Sequence, residues 1–445
     1  MLAIILCVIA FAGSLWAGRR SLGTGLAAVL CVGYFYGIVR ANVMVSASHF
    51  IFDASLAGLY LSQFSKSITP SDAHREGTLR LWMVTLIGWP VLVALMPFQP
   101  VLVSIVGLRG NVFFLPICLL AARLKSQDLF PICTALSCLN LAALAFGGAE
   151  YFVGIERFYP FSAVTSIIYA SRDVAGFQYY RIPGTFSSAH AYGGTMVTTL
   201  PFLIGAWSQV GLRTRYRLFL MAGIIAALLG LLLANARSHV AVGALIAVAA
   251  LWHVTTSMRT RMVWCAVMAA AVILAGTNER FQRVMSLADT EAVAGRIQGS
   301  VNRSFFEILA DYPMGNGMGG GGTSMPSFVE GMIRSPISME SEYARILLEQ
   351  GIIGLLLWIG FIAWFLTSSV AVDRGPWQAA RKLAWLCCVA YLSTGMIGLG
   401  MLTSIPQTVL MLLGLGWVAV RPAGERDSSA RPAAALGWSG PLHAS

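Results

Sequence analysis

The feature that most constrains this chain is its succession of apolar runs, each near the length needed to cross a lipid bilayer. A transmembrane helix requires about 20 mostly apolar residues. Because only helices and closed barrels satisfy their backbone in lipid, such runs predict an all-α polytopic membrane protein with about 12 or 13 spans. The runs lie at roughly 2–17, 22–38, 42–62, 80–97, 112–123 with its flanks, 128–147, 189–209, 218–235, 239–256, 262–276, 344–370, 383–403 and 406–420.

Composition excludes the soluble globular class. Charged residues make up 11% of the 445, against about 25% in soluble domains, and mean hydropathy is +0.73. The eight cysteines fall in apolar runs, which argues against a disulfide framework and against a zinc site. The net charge of +11 comes from basic residues scattered between the runs, as membrane topology requires, so no nucleic-acid partner is expected.

Basic loops predict the orientation, since cytoplasmic loops are enriched in Lys and Arg. Positive charge follows the first run at Arg19–Arg20, which predicts a retained first span rather than a cleaved signal. Residues 1–420 are then one transmembrane domain with external loops at 148–188 and 277–342, and Arg40 is a lone basic exception among the short external turns. The Pro-, Ala- and Ser-rich residues 421–445 are predicted to be a disordered cytoplasmic tail.

The two external loops also hold arginines that a positive-inside bias tends to deplete there. A functional role is therefore expected for some of them. They are Arg157, Arg172, Arg181, Arg280, Arg283, Arg296, Arg303 and Arg334.

Residues 293–312 have apolar side chains at helical spacing, which predicts an amphipathic helix on or near the membrane. Arg296 and Arg303 are two turns apart and share one face, where they serve either a ligand or lipid headgroups. The following glycines at 315–322 lack the lysine and context of a P-loop, but they would allow close backbone approach to a ligand.

The second external loop re-enters the membrane with Glu340, Glu342, Arg345 and Glu349. A carboxylate at the end of a membrane span carries a high free-energy cost unless it is ion-paired or hydrated. A functional role is therefore the default hypothesis. The alternative is a carboxylate that stabilises the start of a helix through the macrodipole, which suits Glu340 or Glu342 better than Glu349.

Arg237 lies in a tight external turn and Arg181 immediately precedes a span, so both are expected at the outer surface. Several arginines at one depth would hold an anionic diphosphate through bidentate hydrogen bonds; a single one would serve as a headgroup anchor. His49 and Asp53 are four residues apart on one helix face, which indicates a structural pair more than a proton path.

Four motifs over about residues 100–370 resemble those of the O-antigen ligase and O-antigen polymerase (Wzy-type) superfamily. They are Arg181-Ile-Pro-Gly-Thr-Phe-Ser-Ser, the Arg237-Ser turn, Arg296 with the later Tyr312-Pro-Met-Gly-Asn-Gly, and Glu340-Ser-Glu-Tyr running into Leu348-Glu-Gln-Gly-Ile-Ile-Gly. The resemblance implies a metal-independent, GT-C-like glycosyltransferase of the bacterial inner membrane, with no cofactor and an active site that faces the periplasm.

The resemblance further implies undecaprenyl-diphosphate-linked glycans as donor and acceptor, with membrane lipids, a chain-length regulator and a flippase as partners. Ligases of the superfamily typically carry a histidine where this chain has Glu340, so a polymerase of exopolysaccharide, capsule or O-antigen units fits better. Ligation of a finished glycan to lipid A-core or protein is the alternative within the family. A flippase or transporter is the alternative outside it, although no internal repeat is visible.

The expected chemistry is direct displacement at an anomeric carbon, which inverts its configuration. Arg296, Arg237 and Arg181, with Arg303 on the helix face of Arg296, would stabilise the diphosphate leaving group. Glu340 is the first candidate for the base that takes the acceptor proton, and Glu342 is the second. Glu340→Gln and Arg296→Ala are each expected to abolish polymer while the protein stays in the membrane.

Overall fold

The computed structural model describes residues 1–66, 76–171, 179–253, 258–277, 295, 304–322, 325–337, 339, 341–368 and 376–420. In these residues the regular elements are α-helices, with short 3-10 helices at Ser46–Phe50 and Ile155–Arg157. The predicted all-α polytopic fold is therefore confirmed. The helices are α1 (Leu2–Arg20), α2 (Leu22–Asn42), α3 (Ile51–Phe64), α4 (Gly77–Ala94), α5 (Val101–Val112), α6 (Ile117–Ala122), α7 (Ser126–Val153), α8 (Ser166–Ala170), α9 (Ala189–Trp207), α10 (Thr214–Ala234), α11 (Arg237–His253), α12 (Met258–Thr277), α13 (Ser304–Asp311), α14 (Ser327–Glu330), α15 (Glu342–Ser368), α16 (Gln378–Thr394) and α17 (Gln407–Ala419).

Each predicted apolar run coincides with at least one of these helices. Among the described residues, seven candidate spans are long and apolar enough to cross a membrane: α1, α2, α4, α5 with α6, α7, α10 and α15. The helices α11 and α17 are apolar but shorter, at 17 and 13 residues. The figure of 12 or 13 spans thus remains a prediction, while the multi-pass architecture stands.

Local sequence signals set several helix boundaries. The Ser21 and Ser188 hydroxyls accept hydrogen bonds from the first-turn amides of Thr24 and Ala191, which caps α2 and α9. Asn235 adopts the left-handed conformation, with φ 48°, so that α10 turns into α11 within two residues. This is the tight turn that the sequence predicted in front of Arg237.

Helix α9 is the centre of the bundle. Nearly all of its residues are buried, and it packs against α7, α10, α11, α16 and α17. A buried chain of hydrogen bonds ties it to two neighbours: Tyr34 of α2 donates to Asn140 of α7 at 2.6 Å, and Asn140 donates to Thr199 of α9 at 3.1 Å. Such side-chain bonds fix helix positions in a membrane domain, where lipid gives no hydrophobic drive for helix association.

Helix α15 is broken at Gly351, where φ is 70° and ψ is −175°. The break divides a buried polar segment, Glu342–Gln350, from the apolar remainder. The glycine-rich loop closes against it, since Asn316 N–H donates to the Leu348 carbonyl and Ile352 N–H donates to the Pro313 carbonyl. These glycines therefore support a backbone-to-backbone contact between two segments of the protein, and the approach of their backbone to a ligand stays a prediction.

Candidate active site

A polar cavity of about 320 Å³ lies at the end of α2 and the start of α15, helix ends that the charge pattern predicts to be external. It is bounded by α2, the first 3-10 helix, α5, the external loop that contains α8, the segment around α14, α15 and residues 403–405. Three arginines from three different helices line it: Arg40, Arg109 and Arg345. Elements far apart in sequence thus bring their charged side chains to one place.

Arg109 of α5 is held by a bidentate ion pair. Its Nε and Nη2 donate to the two Asp53 carboxylate oxygens at 2.5 and 2.8 Å, and Asp53 is 8% exposed. The fork-to-fork geometry fixes the guanidinium plane and leaves Nη1 outside the pair. Asp53 was expected to form a structural pair with His49; its ion-pair partner in the structure is Arg109.

Arg345 is the centre of a buried ionic network on the first turns of α15. It is 2% exposed, and it donates to Glu342 Oε1 on one side and to Glu349 Oε2, at 2.7 Å, on the other. Asn111 of α5 donates to the same Glu349 oxygen at 2.7 Å and accepts from Gln350. Each buried charge in this network has a partner of opposite charge, as expected because an unpaired buried charge carries a large desolvation cost.

Of the three cavity arginines, Arg40 is the one that no carboxylate pairs among the described residues. Its Nη2 donates to the Val164 carbonyl at 3.5 Å, its guanidinium lies 5.6 Å from the Tyr36 ring, and its buried Nε has no hydrogen-bond partner among the described residues. A buried donor without an acceptor is rare in proteins and favours an anionic ligand here. The neighbouring His49, in the 3-10 helix Ser46–Phe50, also lines the cavity.

Within the described part of the chain, two carboxylates line the cavity, Glu330 and Glu349. Glu330 ends α14 and is exposed, whereas Glu349 is 1% exposed within the Arg345 network. The α14 segment is fixed over the cavity by Phe328, whose ring packs edge-on against His49 at 5.6 Å, and by Val329, buried in a cluster with α5. Glu330 is therefore the more accessible of the two acids.

The Arg-Ile-Pro-Gly-Thr-Phe-Ser-Ser motif folds tightly against the ends of α2 and α7. Ile38 N–H donates to the Thr185 carbonyl, and Gly184 N–H donates to Glu150 at 2.9 Å. A Cβ on Gly37 would lie 2.0 Å from the Phe186 backbone, so this contact requires glycine. The result is that the end of the motif, Ser187 and Ser188, lines the cavity.

The structure brings together part of the site predicted from sequence. Glu342 is fully buried, is paired with Arg345 and accepts from the Gly400 amide at 2.8 Å, and it is absent from the cavity lining. Arg181 donates to the Ala234 carbonyl and to Ser171, beside the α10–α11 turn that carries Arg237; neither arginine is in the cavity lining. Glu340, Arg296 and Arg303 lie outside the described residues.

Sequence reasoning missed Arg109, Asn111 and Glu330 as members of a site. The signal for the first two is the polar stretch Gly107-Leu108-Arg109-Gly110-Asn111, which interrupts otherwise apolar sequence. Arg40 was visible as the basic exception among external turns. Among the described residues, no group of three or more His, Cys, Asp or Glu side chains could hold a metal ion.

Fold and site together define a multi-pass helical membrane protein with an arginine-lined cavity at one end of its bundle. A protein-family model described as O-antigen ligase matches residues 222–359, from α10 into α15. The match confirms the predicted resemblance to the O-antigen ligase/polymerase superfamily, whose members are glycosyltransferase-like enzymes. The matched segment contains Arg237, Arg345 and Glu349. No curated protein matches the chain.

Proposed function

We propose that this protein is a glycosyltransferase of the bacterial inner membrane that polymerises undecaprenyl-diphosphate-linked oligosaccharide units into surface polysaccharide. The observation that carries the proposal is the convergence of Arg40, Arg109 and Arg345 on one polar cavity. Membrane anchoring explains a cation at a helix end, but it does not explain three guanidinium groups around one cavity. The family match supports the same class of chemistry.

Within the cavity, Arg40 and Arg109 are proposed to hold the diphosphate. Arg40 has a buried Nε without a partner among the described residues. Asp53 binds Nε and Nη2 of Arg109, which orients the guanidinium and leaves Nη1 to donate to a ligand. Arg345 has its donors engaged by Glu342, Glu349 and Asn111, so it acts by positioning α15 and α5. Fixed donors of this kind stabilise charge that develops on a leaving group without reorganisation. Arg296 and Arg303 remain proposed contributors from the second external loop.

In the proposed step, an acceptor hydroxyl oxygen forms a bond to the anomeric carbon of the donor sugar. The bond from that carbon to the diphosphate oxygen breaks, the diphosphate departs with the electron pair, and the hydroxyl proton passes to a carboxylate. Glu340 remains the candidate base from sequence, and the exposed Glu330 at the cavity is the candidate added by the structure. The bonding of Glu342 suits a positioning role better than proton transfer.

The proposal is tested in a strain deleted for this chain and complemented with variants. Arg40→Ala, Arg109→Ala, Glu330→Gln and Glu340→Gln are scored by the length distribution of surface polysaccharide, with the membrane level of each variant as the control. We expect loss of polymer for the two arginine variants and for at least one glutamate variant. Wild-type polysaccharide chain lengths in both arginine variants would show that the cavity takes no part in the reaction.

Two other functions are distinguished by the glycan that the deletion strain accumulates. A missing polymerase leaves single repeat units on undecaprenyl diphosphate, and a missing ligase leaves finished polymer on the same carrier. A missing flippase leaves single units on the cytoplasmic leaflet. Accessibility of the accumulated units to an added periplasmic glycosidase separates the first case from the last.

A further inference from the structure

A second concave surface lies on the external loop beside the cavity, and the chemistry described so far leaves it unused. It is lined by Glu156, Phe161, Ser166, Tyr169, Ala170 and Tyr180. Ser166 also lines the cavity, so the two spaces adjoin. We call this surface the aromatic cleft.

Three rings form the cleft. Phe161 and Tyr169 have centroids 5.1 Å apart at 75°, and Tyr169 and Tyr180 have centroids 5.2 Å apart at 77°. Phe161 is 76% exposed, whereas burying large aromatic side chains is normally favourable. Tyr169 and Tyr180 also pack against a small buried cluster that includes Tyr159 and Ile168, so two of the rings are anchored while the ring of Phe161 stays exposed beside them.

The cleft is held in shape from below. Tyr169 Oη donates to the Tyr159 carbonyl, and Tyr159, fully buried, donates to the Gly184 and Phe186 carbonyls. Thr165 Oγ1 donates to the Pro160 carbonyl at 2.6 Å and accepts from Ser162 N–H. Preorganised walls reduce the entropy cost of binding, which favours a ligand site over an adaptable surface.

We propose that the aromatic cleft is a saccharide subsite that holds a sugar of the glycan next to the one that reacts in the cavity. A pyranose has an apolar C–H face that matches an aromatic wall and hydroxyls that donate to a carboxylate such as Glu156. The same carboxylate disfavours a lipid phosphate or an acidic sugar by like-charge repulsion. The cleft would thus select a neutral or amino sugar one or two units from the reacting bond.

This inference rests on the proposed function for its place in the reaction, but saccharide binding is measurable without transfer. The probe is the lipid-free oligosaccharide released by mild acid from the surface polysaccharide of the source strain. Its binding to the full chain in nanodiscs is measured by saturation-transfer NMR from the aromatic protons of the protein. Phe161→Ala is compared with Phe152→Ala, which removes an 86% exposed ring at the end of α7 outside the cleft.

We expect Phe161→Ala to weaken binding roughly three- to tenfold, as one aromatic contact is worth, and Phe152→Ala to bind like wild type. Glu156→Gln should also weaken binding, since it loses an acceptor. Equal effects of the two phenylalanine variants, as expected if both rings only contact the bilayer, would overturn the proposal, and so would a wild-type chain that does not bind the oligosaccharide. Binding by a wild-type protein that shows no transfer activity would support the cleft and refute the transferase. Binding that persists in Arg109→Ala would show that the cleft holds the oligosaccharide without the diphosphate-binding arginine.

Discussion

Arg345 provides the sharpest test of how the site is built. Its guanidinium is 2% exposed and lies between the carboxylates of Glu342 and Glu349, which are 0% and 1% exposed. Arg345→Met leaves both carboxylates buried without a cation. Glu342 keeps the Gly400 amide as a neutral donor, and Glu349 keeps the Asn111 side-chain amide and the Gly321 backbone N–H. Breaking a buried ion pair by removing one partner costs about 3–5 kcal/mol, and that loss is expected here.

The carboxylates themselves cause the expected loss, so removing their charge should reverse it. In the triple variant Arg345→Met, Glu342→Gln and Glu349→Gln, the free energy of unfolding should return to within about 1–2 kcal/mol of wild type, because neutral amides carry a far smaller desolvation cost. Arg19→Met, at the exposed end of α1, is the control and should change stability by less than about 0.5 kcal/mol.

The assay is SDS titration of purified protein in mixed micelles, followed by tryptophan fluorescence. An Arg345→Met variant as stable as wild type would refute the network as a buried ionic structure. A triple variant no more stable than the single one would refute the argument that unpaired carboxylates are the cause.

Two further predictions follow from the break in α15 and from the Arg109 pair. Gly351→Ala should lower the free energy of unfolding by about 1–3 kcal/mol in the same titration, because φ is 70° and the new Cβ would lie 2.8 Å from the Met314 backbone. Gly13→Ala is the control and should not lower the free energy of unfolding, because no atom lies within 4 Å of its Cβ. Equal free energies of unfolding for the two variants would contradict the claim that the break in α15 requires glycine. Asp53→Asn should slow glycan transfer by about ten- to a hundredfold, since it removes the charged acceptor that orients Arg109. An unchanged transfer rate would show that this orientation is unimportant.

The helices were predictable because their determinants are local. An apolar run of about 20 residues needs no partner to define it, and capping residues such as Ser188 act on amides of the same turn. The break at Gly351 was not predictable, because it depends on backbone groups of Pro313 and Met314 that meet it only in the folded chain. A glycine within an apolar run carries no such information by itself.

The same distinction separates the predicted from the unpredicted parts of the site. Arg345 and Glu349 are one helical turn apart, so the sequence could place them at one membrane mouth. The partner of Arg109 is 56 residues away, and Arg40 reaches the cavity only through the packing of α2 against the external loop. Glu342 remains the second candidate base predicted from sequence; its buried ion pair with Arg345 and its bond from the Gly400 amide depend on the folded chain and were not predicted.

The most direct test of the central claim is transfer by purified protein. Lipid-linked repeat units isolated from the deletion strain are incubated with the full chain in nanodiscs, without nucleotide, added metal or membrane potential, and the products are sized by electrophoresis. The cavity account predicts a ladder of lengthened lipid-linked glycans with wild type and none with Arg40→Ala or Arg109→Ala. A ladder of wild-type length from both arginine variants, or no lengthening by the wild-type protein, would contradict it.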